Sequence, residues 1–318
     1  MTLPEEAANS LHQWLGDRWT AQPLFGDASV RAYYRIGAPD GSTYILAYYP
    51  PEVREQLRRF LDAYAAVSPH ARVAEVLQIS DAAILQEDLG DRTLLDVLHR
   101  DRAEGIRLYR EAIEQLVAFH RATADVNPPF TAGFFFAEME MALEFYVGKL
   151  MGAGAAPLKP ILETLAENIS RHPYVLCHRD YHGQNLHIKN NQVRIIDYQD
   201  MRMGPDMYDM ASLLRDRGVA RILGDETELE LLNEYRQPAA GSRQRYWETL
   251  LQRSIKILGT FSKQPITRKR MHYLDFIPPT LESIGRCLDE LPEYAALRDI
   301  FPMHFSIGAA RARAEQFS

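Results

Sequence analysis

The sequence predicts an α+β protein with a small, β-rich N-terminal lobe and a larger, mainly helical C-terminal lobe. Two runs rich in aromatic residues, 31–36 and 43–49, flank the turn sequence Gly-Ala-Pro-Asp-Gly and are typical of a β-hairpin. A second pair of β-like runs, 73–79 and 83–86, indicates another hairpin. Beyond residue 92 apolar residues recur mostly at helical spacing, so we expect the rest of the chain to be mainly helical.

Helices are predicted from start signals and apolar spacing. Thr2 and Glu5 form a capping box with Pro4 in the first turn, and the first helix should run through Leu15. A second helix at 51–67 lies between the two hairpins. Further helices are expected at about 102–123, 135–151, 158–171, 206–217, 226–236, 243–262 and 279–290.

A short acidic segment separates the two predicted lobes. The strand pattern stops at the sequence Glu-Asp-Leu-Gly-Asp, residues 87–91, and helical spacing begins after it. We therefore expect an N-terminal lobe at 1–87, a hinge at 88–92 and a helical C-terminal lobe at 93–318.

Composition excludes several classes of function. The chain has 43 acidic against 36 basic residues, a formal charge of −7, and no basic stripe with interleaved aromatics, which argues against a nucleic-acid partner. Two cysteines support neither a disulfide framework nor a zinc site. No signal peptide or membrane-spanning apolar run is present, so we expect a cytoplasmic protein without a membrane partner. The oligomeric state cannot be predicted.

The most informative motif is an H-x-D-x-x-x-x-N string formed by His178, Asp180 and Asn185. A further carboxylate, Asp197, closes the apolar run 193–196. Phosphoryl transfer from a nucleotide needs a carboxylate that accepts the acceptor's hydroxyl proton, and oxygen ligands for the magnesium ions on the phosphates. An Asp, an Asn five residues later and an Asp on the next strand supply those groups in this pattern.

The segment between the two halves of the motif predicts a hairpin. Leu-His-Ile-Lys at 186–189 and Gln-Val-Arg-Ile-Ile at 192–196 flank an Asn190-Asn191 turn. Such a hairpin would bring Asp197 back beside Asn185.

Together these features resemble the protein-kinase-like fold, which has two lobes joined by a hinge. More narrowly they resemble the aminoglycoside phosphotransferase superfamily, whose members phosphorylate small molecules. Three stretches, 26–35, 199–216 and 251–261, are similar to the bacterial anomeric kinases of cell-wall recycling, which phosphorylate N-acetylmuramate and N-acetylglucosamine at C1.

The resemblance implies a role for each residue of the motif. Asp180 matches the catalytic base, and Asn185 and Asp197 match the ligands of Mg²⁺ on the nucleotide phosphates. His178 matches a histidine that packs under the loop, and Asp209 matches a buried aspartate that braces the loop from the following helix.

The nucleotide, ATP by resemblance, should be held by the N-terminal lobe and the hinge. The family folds a loop over the phosphates where this chain has Asp27, Ala28 and Ser29, and small residues let backbone N–H groups approach an anion. The backbone of Glu87 and Leu89 should border the adenine.

One departure from the family concerns a lysine that normally ends the second strand of this lobe and pairs with the phosphates. Here the strand reads Tyr-Ile-Leu-Ala-Tyr-Tyr-Pro, without lysine. Arg31 and Arg35 are the nearest replacement cations, and an alternating strand directs residues 31, 33 and 35 to one face.

The acceptor side is predicted from the loops around the motif. His182, Asp200 and Arg202 are candidate substrate contacts, and Arg202 and Arg215 are compatible with a carboxylated sugar. The short segment between Asp200 and Asp209, with a tight turn expected at Gly204-Pro205, is too short for the activation segment of protein kinases.

The leading hypothesis is therefore an ATP-dependent small-molecule kinase for the anomeric hydroxyl of N-acetylmuramate, N-acetylglucosamine or both, in peptidoglycan recycling. A superfamily kinase for another small hydroxyl substrate, such as an amino alcohol or an aminoglycoside, is the nearest alternative. A non-catalytic nucleotide-binding pseudokinase, motivated by the missing lysine, is a third.

Overall fold

The structure, a computed structural model, describes residues 3–24, 30–235 and 241–317. These residues form two compact units. The first unit draws on 1–127 and 180–201, and the second on 128–179 and 202–318. The predicted hinge at 88–92 lies within the first unit, and the lobe boundaries placed there stay a prediction.

A five-stranded antiparallel sheet forms the centre of the first unit, with strand order β1-β2-β3-β5-β4. The strands are β1 (Thr20–Leu24), β2 (Ala32–Gly37), β3 (Thr43–Tyr48), β4 (Val76–Ile79) and β5 (Ala83–Glu87). Both predicted hairpins are present. Strand β1, in which Pro23 lies opposite Tyr34, was not predicted from the sequence. Proline is tolerated there because β1 is an edge strand, and the run lacks a strand pattern of its own.

Helix α1 (Glu5–Leu15) covers one face of this sheet. Its Ala7 and Leu11 are fully buried against Tyr34, Ile36 and Leu46. Pro4 caps the helix in an extended conformation without a side-chain cap bond, and Thr2 of the predicted capping box lies outside the described residues. Since strand side chains alternate, the residues between the buried ones in β2 face the opposite side of the sheet.

Three further helices belong to the first unit: α2 (Arg54–Val67), α3 (Leu94–Arg100) and α4 (Arg102–Phe119). The predicted helix at 51–67 is α2 preceded by a 3₁₀ turn, Pro51–Val53. Helix α3 was missed, although Thr93 begins it with a capping box to Asp96.

The second unit is mainly helical, with one two-stranded sheet of β6 (Tyr174–Cys177) and a strand at Arg202–Pro205, numbered β9 below. Its helices are α5 (Ala132–Met141), which continues as a π-helix Ala142–Leu150, α6 (Lys159–Ser170), α7 (Tyr208–Arg215), α8 (Val219–Glu234), α9 (Ser242–Arg268), α10 (Ile277–Glu290), α11 (Leu297–Ile300) and α12 (Ile307–Gln316). The two last helices were missed, and α8 begins earlier than predicted because the non-helical Gly224 interrupts its apolar spacing.

The tight turn predicted at Gly204-Pro205 is wrong. Both residues end β9, where Gly204 lies opposite Val175. The glycine is required by close packing, because a Cβ atom there would lie 2.4 Å from a ring carbon of Phe130 and 3.1 Å from the sulfur of Cys177.

The remaining strands of the first unit, β7 (Leu186–Lys189) and β8 (Gln192–Ile195), form the predicted hairpin around the motif. Asn190 and Asn191 occupy its turn with φ of 51° and 61°, left-handed values that asparagine tolerates better than most residues. Among the described residues, no helix is long and apolar enough to cross a bilayer.

Candidate active site

The loop that carries the motif begins at the end of β6, in the second unit. The backbone N–H groups of His178 and Arg179 donate to the two carboxylate oxygens of Asp209, at 2.7 and 2.9 Å. Asp209 lies in the first turn of α7, and both it and His178 are fully buried. A single carboxylate on a rigid helix therefore holds the backbone that immediately precedes Asp180.

Asp180 and the rest of the loop belong to the first unit. The Asp180 carbonyl accepts hydrogen bonds from the Asn185 side-chain amide at 2.9 Å and from the His182 backbone N–H at 3.0 Å. The Asn185 N–H in turn donates to the His182 carbonyl at 2.9 Å, so the loop closes on itself. Asp180 itself is exposed, whereas the predicted acceptor contact His182 is buried, and its role in substrate binding stays a prediction.

The hairpin of β7 and β8 is fixed on both sides. The Ile188 N–H donates to the Arg92 carbonyl, and the Ile195 N–H to the Arg72 carbonyl, each at 2.8 Å. Beyond β8 the Ile196 N–H bonds the Asn185 carbonyl at 3.1 Å. This bond places Asp197 next to Asn185, as the predicted hairpin requires.

Asp197 has an unusual backbone, with φ of 65°, and an exposed side chain whose Oδ1 accepts a bond from the Gln199 amide at 2.8 Å. Arg179, on the other side of Asp180, has φ of 82°. Left-handed values cost a non-glycine residue free energy and cluster at functional sites. One departure is at the candidate metal ligand Asp197 itself, and the other immediately precedes the candidate base Asp180.

The donor set fits a magnesium ion. Asp197 offers a carboxylate, and the Asn185 amide nitrogen is used by the Asp180 carbonyl, which orients the amide oxygen away from that carbonyl. Within the described ranges no three His, Cys, Asp or Glu side chains come close enough to hold a metal by themselves. Mg²⁺ is commonly bound by one or two protein oxygens together with phosphates and water, which is the arrangement these two residues permit.

Arg31 interacts electrostatically with Asp197, the candidate metal ligand. Its guanidinium is 5.7 Å from the ring centre of Tyr33 and hydrogen-bonds the Tyr49 hydroxyl. Burial disfavours the charged form, yet the pKa of Arg31 is raised because the two tyrosines and the Asp197 carboxylate surround it. The structure thus places one of the two predicted replacement cations within electrostatic reach of Asp197.

Arg35 is engaged elsewhere. Its guanidinium binds Asp88 through Nε at 2.8 Å and Asp91 through Nη2 at 2.7 Å. Hydrogen bonds to Asp91 and Asp88 raise the pKa of Arg35, although burial opposes this. Of the two candidates, Arg35 is therefore engaged with the acidic segment of the predicted hinge, whereas Arg31 interacts electrostatically with Asp197.

The two predicted adenine contacts differ in what their backbone already binds. The Glu87 N–H donates to the Glu75 carbonyl at 2.8 Å, and the Glu87 carboxylate pairs with Lys189 at 2.9 Å. The Leu89 N–H and carbonyl have no hydrogen-bond partner in the part of the chain that the structure describes. Leu89 is thus the better placed of the two to offer backbone groups to a base.

The remaining predicted site residues differ in their surroundings. Asp200 is exposed in the first unit, and Arg202 on β9 has its guanidinium 4.9 Å from the Phe134 ring centre. The guanidinium of Arg215 already forms a bidentate pair with Glu228, and its compatibility with a carboxylated sugar stays a prediction. Asp27, Ala28 and Ser29 lie outside the described residues.

Asn127 is a further residue near the site that was not predicted from the sequence. Its side-chain amide donates to the backbone carbonyls of Gln199 and Met201, at 3.2 and 2.9 Å, and so holds the segment that follows Asp197. No local signal pointed to it, because an asparagine before a Pro-Pro pair is also an ordinary loop residue.

The chain is similar to known proteins in both sequence and fold. The chain is 28% identical over 298 residues to a protein of Pseudomonas putida named N-acetylmuramate/N-acetylglucosamine kinase, covering 86% of this chain and 85% of that one. A Pseudomonas aeruginosa protein of the same name is 27% identical over 299 residues, covering 87% and 86%. The choline kinase LicA from Streptococcus pneumoniae superposes with a TM-score of 0.62 at 14% identity, covering 91% of this chain and 99% of that one.

The structural neighbour shares the kinase-like fold, in which a small antiparallel sheet precedes a mostly helical remainder. Residues 20–247, most of the chain, match the sequence profile of the phosphotransferase enzyme family. This match includes Asp180, Asn185, Asp197 and Asp209. The chain therefore belongs to the phosphotransferase enzyme family, and it is a kinase.

Proposed function

We propose that this kinase uses ATP and magnesium to phosphorylate the anomeric hydroxyl of N-acetylmuramate, N-acetylglucosamine or both, in peptidoglycan recycling. The observation that carries the proposal is the closed loop of Asp180 and Asn185 with Asp197 returned beside it. The names of the two Pseudomonas relatives support the choice of sugar.

Asp180 acts as the base in this proposal. Its carboxylate is exposed while its own carbonyl is held by two hydrogen bonds, so the side chain can meet an acceptor from a fixed backbone. Positioning and electrostatic stabilisation dominate phosphoryl transfer, and the base has only to take one hydroxyl proton. An anomeric hydroxyl is more acidic than an ordinary alcohol, which makes a single carboxylate sufficient.

Asn185 and Asp197 would hold the magnesium ion, which neutralises charge on the nucleotide phosphates when bound. Arg31 is the proposed cation on the phosphates in place of the family's lysine, with Tyr49 holding its guanidinium. Leu89 is the proposed backbone partner of the adenine.

The role of Arg31 can be tested against Arg35. Arg31→Met should raise the KM for ATP by about 10-fold or more, because a charged hydrogen bond to phosphate contributes roughly 1.5 to 3 kcal/mol. Arg35→Met should mainly lower the melting temperature, since it leaves the buried Asp88 carboxylate without its cation. Steady-state kinetics and thermal unfolding of both variants separate the two effects. An unchanged KM in Arg31→Met would remove Arg31 from the phosphate site.

The acceptor can be identified by a phosphorylation screen of the purified chain with ATP and magnesium. N-acetylmuramate and N-acetylglucosamine should be consumed, and the product should be an acid-labile sugar 1-phosphate. The methyl glycoside of N-acetylglucosamine, which has no anomeric hydroxyl, is the matched control and should be inert. Phosphorylation of that glycoside, or turnover only of amino alcohols or aminoglycosides, would contradict the anomeric assignment and leave the kinase assignment intact.

A further inference from the structure

Arg253 lies in the middle of α9 and is 4% exposed. Its Nη2 donates to the Asp216 carboxylate at 2.6 Å and to the Ser212 hydroxyl at 3.0 Å. Its Nη1 reaches the backbone carbonyl of Arg179 at 3.4 Å. The guanidinium also lies 4.5 Å from the centre of the Tyr208 ring, so its position is set on several sides within the second unit.

The carbonyl of Arg179 belongs to the peptide group whose nitrogen is that of Asp180. A peptide group is planar, so a restraint on this oxygen also restrains the nitrogen and Cα atoms of Asp180. Arg179 has φ of 82°, a conformation that costs a non-glycine residue about 1 to 3 kcal/mol unless its surroundings enforce it. Asp209 holds the N–H of Arg179 at 2.9 Å, and Arg253 holds its carbonyl.

The two restraints come from α7 and α9, and the side chains that bind Arg253 link them. Asp209 lies at the start of α7, and Ser212, also in α7, binds the Arg253 guanidinium together with Asp216, the residue that follows the helix. Arg179, which has left-handed φ and precedes Asp180, is thus held at its N–H by Asp209 of α7 and at its carbonyl by Arg253.

We propose that Arg253 is a positioning residue for the phosphoryl transfer: it holds the peptide between Arg179 and Asp180 and thereby sets the direction of the Asp180 carboxylate. The proposal rests on the proposed role of Asp180 as the base. Arg253 itself touches neither nucleotide nor acceptor in this account, so its effect should appear in kcat and leave both KM values unchanged.

A conservative substitution separates this role from a structural one. Arg253→Lys retains a cation for Asp216, so the partly buried carboxylate stays paired and the fold is preserved. A lysine has one ammonium group and cannot reproduce the fork that reaches Asp216 and the Arg179 carbonyl together. The variant therefore removes the restraint on the 179–180 peptide while retaining the ion pair.

Arg253→Lys should lower kcat by about 10- to 100-fold, because misplacing a catalytic group by about 1 Å can cost 10²-fold. The KM for ATP, the KM for the acceptor and the melting temperature should stay close to those of the parent. Arg245→Lys is the matched control, since Arg245 forms another buried pair, with Asp206 at 2.7 Å. That control should retain the parent kcat. A parental kcat in Arg253→Lys, or a rise in KM without loss of kcat, would overturn the proposal.

Two double variants test the backbone argument directly. Glycine adopts positive φ without the penalty of a side chain, whereas alanine does not. With the Arg253 restraint removed, Arg253→Lys with Arg179→Gly should therefore retain a kcat several-fold above that of Arg253→Lys with Arg179→Ala. The Arg179 side chain is absent from both, so it cannot explain the difference. Equal kcat values in the two double variants would contradict the proposal.

The same assays distinguish a failure of this inference from a failure of the proposed base. Asp180→Asn is measured in parallel with whichever acceptor the parent phosphorylates. If Asp180→Asn is inactive and Arg253→Lys is fully active, only the positioning role is lost. If Asp180→Asn retains parental turnover, the base assignment itself is wrong.

Discussion

Asp180→Asn should lower kcat by about 10²- to 10⁴-fold and leave the affinity for ATP close to that of the parent. The amide cannot accept the proton of the attacking hydroxyl. It has nearly the same shape as the carboxylate, and the loop is held through the Asp180 carbonyl by Asn185 and His182, so the fold of the loop should persist. Steady-state kinetics with the acceptor identified in the screen and a nucleotide-binding titration give the two quantities.

The control for this variant is Asp81→Asn, an exposed aspartate in the turn between β4 and β5 of the same unit. It makes the same chemical change away from the motif and should retain parental kinetics. Turnover within a few-fold of the parent in Asp180→Asn would exclude Asp180 as the base. A large loss of ATP affinity together with turnover would indicate collapse of the loop and not loss of a proton acceptor.

The parts of the fold that could be predicted are those with local signals. The hairpin at 186–195 has turn residues that tolerate left-handed φ, and the structure has Asn190 and Asn191 in that conformation. The strands β2 and β3 follow the aromatic-rich runs, and α2 follows its apolar spacing. Each of these elements is specified by residues within about a dozen positions of one another.

The elements that were missed depend on partners distant in sequence. Strand β9 exists because it pairs with β6, so Gly204 reads as a turn residue in the sequence and is a packing residue against Phe130 in the structure. Edge strand β1 likewise owes its conformation to β2. Tertiary pairing overrides local preference in both cases.

The residues of the candidate site also divide into those with a local sequence signal and those that depend on distant parts of the chain. Asp180, Asn185 and Asp197 lie close together in sequence, and a hairpin suffices to bring the last two together. The sequence could not show which of Arg31 and Arg35 replaces the lysine, because strand alternation directs both side chains to one face of the sheet. The structure distinguishes them, since Arg35 forms ion pairs with Asp88 and Asp91. Asn127 contacts the segment after Asp197 and Arg253 contacts the Arg179 carbonyl, each from a remote part of the chain, and no local pattern marks either residue.

Asp197→Ala should abolish phosphoryl transfer and weaken the binding of Mg·ATP far more than that of metal-free ATP. In the proposed site Asp197 contacts the metal and not the nucleotide, so the metal-free complex should be largely spared. The Asp197 carboxylate also acts electrostatically on Arg31, and without that negative charge Arg31 should attract the phosphates more strongly. Metal-free ATP should therefore bind as tightly as to the parent or more tightly.

The measurement is an ATP titration of the parent and the variant, with excess magnesium and with a chelator. Because Asp197 has φ of 65°, alanine adds backbone strain, whereas asparagine tolerates this conformation. Asp197→Asn thus removes the charge with little strain and should show the same selective loss of Mg·ATP at a melting temperature nearer that of the parent. Equal weakening with and without magnesium in both variants would mean that Asp197 is not a metal ligand, since the loss of a residue that contacts only the ion should not weaken a complex that lacks the ion.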